Sequence, residues 1–170
     1  MILEFSKIRL RQIDQGDIEM LRQWRNDQKI VQFMFFNQYI TESMQQKWFS
    51  SLGESDFYFI IEYRTKALGL INLSDLQEKD NAAFAGLFIY EEAYWGTQIP
   101  VLASMRLLKF AFEERKLATV YAKVQKANIA AKKYNNNLGF DDCSEELQSI
   151  NLENYTNVLK PLMNRISWLR

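Results

Sequence analysis

Apolar and polar residues alternate through Ile8-Arg9-Leu10-Arg11-Gln12-Ile13. Strand side chains point to opposite faces in turn, so this stretch reads as a half-buried β-strand. The period then changes. Ile18, Leu21 and Trp24 fall roughly on one face of a helix that Asp14 or Asp17 can cap. Thr41 can cap a second helix, with Met44, Trp48 and Leu52 at helical intervals. Residues 57–63 and 67–73 read as strands joined by Arg64-Thr65-Lys66 into a hairpin, and residues 82–90 as a third long strand. Val101, Met105, Leu108 and Phe112 stand at i, i+4, i+7 and i+11, which predicts a helix over 100–112. A strand at 119–124 and a helix opening at Asn128 follow, then closing strands near 143–147 and 155–159. This order predicts a mixed, mostly antiparallel α/β sheet of about seven strands flanked by about four helices.

Only two prolines and six glycines interrupt the chain, and no linker or repeat divides it. Its 170 residues suit one domain over 1–170, and 48% apolar content is enough for a core rather than a disordered chain. Lysine plus arginine (21) balances aspartate plus glutamate (21), which gives no general attraction to nucleic acid or an anionic membrane. The absence of histidine removes the serine-histidine and cysteine-histidine nucleophile pairs and the common zinc sites together, so no metal is expected. Cys143 stands alone and cannot form an internal disulfide. No apolar run reaches the roughly 20 residues of a membrane span, and Met1 to Leu10 lacks a signal-peptide layout. A cytoplasmic protein is the expectation; oligomeric state is open.

The chemistry concentrates between residues 87 and 140. The apolar strand Leu87-Phe88-Ile89-Tyr90 runs into a Trp95-Gly96 turn and then a helix. The first N–H groups of a helix lack partners and point outward, which suits an anion. Tyr134 stands on a second helix, where it can act on a ligand held there or simply pack as a core aromatic. Phe33, Phe35, Phe36 and Tyr39, with Trp48 and Phe49, form either an apolar wall or core packing.

The Tyr94-Trp95-Gly96 turn and the run Asn128…Tyr134…Leu138-Gly139-Phe140 resemble the GNAT superfamily of acyl-CoA-dependent N-acetyltransferases. The branch it looks most like holds ribosomal-protein N-terminal acetyltransferases and nucleotide amino-sugar acetyltransferases of the pseudaminic acid pathway. Trp24-Arg25-Asn26 and the stretch from Ile40-Thr41 to Trp48-Phe49 extend the resemblance upstream, over nearly the whole chain. It implies acetyl-CoA as co-substrate, with the backbone of Leu87, Phe88 and Ile89 along the pantetheine arm. It also implies Trp95, Gly96, Thr97 and Gln98 at the pyrophosphate, with Asn128 and the small Ala131 beside the arm. Tyr134 is implied at the thioester sulfur as the catalytic proton donor. Arg25 and Asn26 are implied on the acceptor side, facing a small-molecule amine. The family's loop reads Gln/Arg-x-x-Gly-x-Gly/Ala; here the six positions are Trp95-Gly96-Thr97-Gln98-Ile99-Pro100. Glycine lets backbone approach phosphate, and proline removes a donor. Three functions stay open: an acetyltransferase for a small amine, one for a protein N-terminus, and a non-catalytic GNAT-like binding domain. Glu62, Asp75 and Glu91 are candidate bases, with none assigned.

Overall fold

The computed structural model describes residues 1–167. The strands are β1 (Ile2–Phe5), β2 (Ile8–Gln12), β3 (Phe57–Tyr63), β4 (Lys66–Gln77), β5 (Ala82–Ile89), β6 (Thr119–Lys123), β7 (Asp141–Asp142) and β8 (Leu147–Asn151). They form one sheet in the order β1-β2-β3-β4-β5-β6-β8-β7. Every pairing is antiparallel except β5 with β6. A parallel neighbour needs a long crossover, and here it is supplied by α4 (Gln98–Lys109). The mixed α/β expectation holds, with eight strands in place of about seven.

Alternation sorts the sheet into two faces. On one, Phe59 and Ile61 of β3, Leu68, Ile71 and Leu73 of β4 and Ala83 and Ile89 of β5 join the main core beneath α4. Helix α4 buries Ile99, Leu102, Ala103, Met105, Leu107 and Leu108, too many for a single stripe, so it lies inside rather than on the surface. On the other face, Ile60 and Leu70 pack with Leu21 and Trp24 of α1 (Ile18–Asn26) in a smaller cluster. Trp48 of α3 (Glu42–Ser50), Tyr58, Phe88 and Tyr90 lie at its margin, half-buried. The short α2 (Gln28–Val31), capped by Asp27, separates α1 from the loop leading to α3.

The C-terminal third departs from the sequence pattern. Residues 143–146 form a turn, with the N–H groups of Cys143 and Ser144 both donating to Leu147 O. The strand predicted at 143–147 therefore begins only at Leu147 and runs to Asn151. The strand predicted at 155–159 is helical. Asn151 caps Leu152–Asn154 (α6), a π turn spans Tyr155–Leu159, and α7 continues over Lys160–Ser167. Tyr155, Leu159 and Met163 are buried at i, i+4 and i+8, and the Tyr155 ring stacks on Phe112. That spacing belongs to a helix and not to a strand. The helix predicted over 100–112 begins two residues earlier at Gln98, and its last turn widens into a π turn at Phe110–Glu114. Helix α5 (Ile129–Asn137) follows β6 as expected.

Candidate active site

The sheet opens at β5. Residues Ala82 to Ala85 pair with β6, and no residue beyond Ala85 does. The Tyr90 N–H donates to Leu68 O on β4, so alternation sends the backbone groups of Phe88 toward β4 and those of Leu87 and Ile89 the other way. Leu87 and Ile89 thus face the gap where β6 has diverged. The Ile89 carbonyl is taken: the Trp95 indole Nε1–H donates to it at 2.8 Å. This bond ties the turn after β5 back onto the strand. Gly96 sits in that turn at φ +70, a left-handed conformation that favours glycine, and an added Cβ would meet nothing within 4 Å.

Helix α4 starts where the turn ends, and its first donors are nearly all used. Thr97 N–H donates to Tyr94 O at 3.3 Å, and Ile99 N–H donates to Thr97 Oγ1 at 3.3 Å. Pro100 has no N–H. Of the four orphan positions at the N-terminus of α4, only the Gln98 N–H has no partner among the described residues. The anion cradle expected over Trp95, Gly96, Thr97 and Gln98 takes the form of a turn and a helix start, where the N–H groups of Gly96 and Gln98 have no hydrogen-bond partner among the described residues.

Helix α5 packs against α4 and β8. Asn128 caps it, its Oδ1 accepting from Ala131 N–H at 3.1 Å. One and a half turns on, the Tyr134 hydroxyl lies 2.8 Å from the Ser104 hydroxyl of α4. Burial pushes the Tyr134 phenol above its ordinary value, and the Ser104 bond opposes this only in part. Tyr134 is therefore neutral and proton-bearing at any physiological pH. Ser104 is 8% exposed and is the one polar residue that α4 buries. The sequence reading passed over it; a serine inside an otherwise apolar helix was the available signal.

On the opposite face of the sheet, Arg25 ends α1 with its guanidinium over the Trp48 ring, 5.5 Å from the centroid. Trp48 meets Tyr58 edge-on at 5.0 Å, and Trp24 stacks on Tyr90 at 5.0 Å. Burial pushes the Arg25 guanidinium below its ordinary value, and the Tyr58 hydroxyl opposes this. Arg25 has no carboxylate and no side-chain hydrogen bond among the described residues, whereas Arg11, Arg22 and Arg106 each pair with an acid. Asn26 is engaged differently. Its amide donates to Ile40 O at 2.9 Å and accepts from Ile40 N–H at 2.8 Å, holding one end of the 32–41 loop. Gln125, just past β6, donates to Met34 O at 2.8 Å and holds its middle. Phe33, Phe35, Phe36 and Tyr39 on this loop are exposed, so they are not core packing.

The candidate bases separate. Glu62 pairs with Arg11 at 2.8 Å and Glu91 with Lys66 at 2.7 Å. Asp75 sits exposed in the β4 bulge at φ +53. Among the described residues no cluster of acidic or cysteine side chains is arranged for a metal, and no helix is long and apolar enough to cross a membrane. A hollow of about 320 Å³ lies away from these residues, bordered by Arg106, Glu113, Glu114, Tyr155 and Lys160. Arg106 pairs there with Glu114, and Lys160 and Tyr155 with Glu113.

This fold superposes on that of solved N-acetyltransferases. Residues 7–141 match the family model described as an acetyltransferase (GNAT) domain, and the chain belongs to that family. A domain from Methanocaldococcus jannaschii is 25% identical, with TM-score 0.75, over 86% of this chain and 99% of its own. Spermidine N-acetyltransferase from Vibrio cholerae, solved with CoA and spermine, superposes with TM-score 0.81 at 18% identity, over 89% and 99%. A ribosomal L7/L12 α-N-protein acetyltransferase solved with CoA gives 0.75 at 15% identity, over 91% and 99%. The two enzyme structures establish the shared fold. No curated protein sequence matches the chain.

Proposed function

We propose that this chain is an acetyl-CoA-dependent N-acetyltransferase, a single cytoplasmic domain over 1–170 whose acceptor is a primary amine on a small anionic molecule. A nucleotide-linked amino sugar is the first candidate. The edge left by β6, with the backbone groups of Leu87 and the Ile89 N–H, fits the amides of a pantetheine arm, which would add to β5 as β6 does lower down. The Gln98 N–H and the Trp95-Gly96-Thr97 turn would hold the pyrophosphate, and Asn128 and Ala131 would border the arm. Acetyl-CoA supplies a thioester carbonyl for the amine to attack. Tyr134, kept neutral by burial, is the proton donor for the departing sulfur.

One observation carries the acceptor class: Arg25 is a desolvated cation with no counter-ion. A guanidinium so placed favours a phosphate or carboxylate brought by a ligand. It opposes a polycation such as the spermine bound by the Vibrio cholerae enzyme. Asn26 supports this side by fixing the loop that carries the exposed aromatics. A second reading, acetylation of a protein N-terminus, draws support from the likeness to the ribosomal-protein enzyme. A third, a binding domain without turnover, draws support from the single free donor at α4. The test has two arms. Calorimetry with acetyl-CoA should show binding; its absence at millimolar concentration leaves the third reading. An acceptor screen that reads thiol release should favour nucleotide amino sugars over free-N-terminal peptides and polyamines. Activity confined to peptides would establish the second reading.

A further inference from the structure

We propose that Ser104 is a positioning residue for proton transfer at Tyr134. Its hydroxyl orients the phenol and donates to the phenolate left when the proton has gone to sulfur. The inference rests on the acetyl-transfer reading above. Ser104 lies in the middle of α4, surrounded in sequence by Ala103 and Met105 and on the same helix as Leu102, Leu107 and Leu108, all buried. An apolar residue would serve packing at least as well, and a buried hydroxyl costs free energy unless it is partnered. The side-chain partner of Ser104 is the Tyr134 hydroxyl, 2.8 Å away on α5.

Two facing hydroxyls can exchange roles. While Tyr134 is a phenol, either oxygen can donate. Once it is a phenolate, only Ser104 can. The reaction balances as follows: the amine nitrogen attacks the thioester carbonyl carbon, and the C–S bond breaks with its electron pair on sulfur. The Tyr134 O–H proton moves to sulfur and gives the thiol. The surplus proton of the acylated nitrogen returns to the phenolate through solvent water, and amide, thiol and phenol are the result. Burial that keeps Tyr134 protonated also penalises its phenolate. A hydrogen bond that strengthens as the oxygen becomes charged offsets that penalty at the moment of transfer.

The test is a double-mutant cycle with thiol release as the readout. A hydrogen bond to a charged group contributes about 1.5–3 kcal/mol, so Ser104→Ala should lower kcat about 10- to 100-fold. The KM for acetyl-CoA should stay within about twofold. Ser104→Thr, which keeps the hydroxyl, should recover most of the rate. In a Tyr134→Phe background Ser104→Ala should be silent, because Ser104 acts through the phenol. Independently of turnover, the Tyr134 ¹³Cζ resonance of the ligand-free chain should move in Ser104→Ala and stay near its parent position in Ser104→Thr. Equal losses from Ser104→Ala with and without the Tyr134 hydroxyl overturn the proposal, as does a normal rate in Ser104→Ala. A parent chain that binds acetyl-CoA but releases no thiol with any acceptor overturns the transferase reading and this one together. A working parent with an unaffected Ser104→Ala overturns this one alone.

Discussion

The Trp95 indole and the Ile89 carbonyl are joined by a 2.8 Å hydrogen bond that closes the segment between β5 and α4 into a ring of seven residues. The strand edge and the helix start, both assigned to one ligand in the proposed reading, are thereby held at a set separation. Trp95→Phe keeps a ring and loses the donor. A neutral hydrogen bond contributes about 0.5–1.5 kcal/mol, so acetyl-CoA should bind roughly 2- to 12-fold more weakly in calorimetry. The melting temperature should fall little, since Trp95 is already 44% exposed.

Pro100 removes a donor that the helix N-terminus would otherwise offer. Pro100→Ala restores an N–H in the first turn of α4, two residues after the free Gln98 N–H, and alanine is a good helix residue. The variant should bind acetyl-CoA more tightly than the parent, by about tenfold if the new N–H reaches a phosphate oxygen. Unchanged affinity would mean that the pyrophosphate does not lie over α4.

In the proposed reading Arg25 is a cost retained for a ligand. Arg25→Met keeps the packing against Trp48 and removes an unpaired, desolvated cation. The melting temperature should rise by roughly 2–4 °C, the equivalent of about 1 kcal/mol for a chain of this size. The KM for an anionic acceptor should rise while the KM for acetyl-CoA stays put. A lower melting temperature would show that Arg25 is a structural residue.

Acid stability should depend on Asp17. Burial pushes its carboxyl up, but the Arg11 guanidinium, bonded at 2.8 and 2.9 Å, and the Asp14 N–H outweigh this and hold it below the ordinary range. A depressed carboxyl contributes stability that is complete above its unfolded value, about 3.9, and is lost as pH falls through the folded value below it. Parent stability in urea should therefore decline below about pH 4. Asp17→Asn should be less stable at pH 7, by about 1–3 kcal/mol, and flatter over the acid range.

The fold was legible wherever burial enforced a period. The hairpin of β3 and β4, the long β5 and the stripe on α4 stood out in the order of apolar residues. The C-terminal segment did not, because Tyr155-Thr156-Asn157-Val158-Leu159 has strand-like composition, and its helical state is decided by packing of Tyr155 on Phe112. Two of the candidate site residues could be placed from one motif run, since Asn128 caps α5 and Tyr134 follows by helical spacing. Ser104 was marked only as a serine within the apolar run Val101–Met105, and the Asn26–Ile40 clamp by nothing local, because each depends on a contact between elements distant in sequence. The depletion of donors at α4 was half visible, as Pro100 could be read directly but the Thr97 bond to Ile99 could not.

Beyond Ala85, β5 is an edge strand in the interior of a sheet. Edges are where chains find one another, because unpaired N–H and C=O groups accept any extended segment. At most sheet rims such groups are shielded by shortness, twist or charge. Here the natural cover would be a small molecule that comes and goes with each turnover, so the chain is exposed to self-pairing between cycles. β6 answers with one charged residue, Lys123, standing where the two strands part with its ammonium 4.7 Å from the Phe84 ring centroid. The opening that would admit a ligand is thus also an unpaired strand edge, and the one charge that β6 carries stands at its fork.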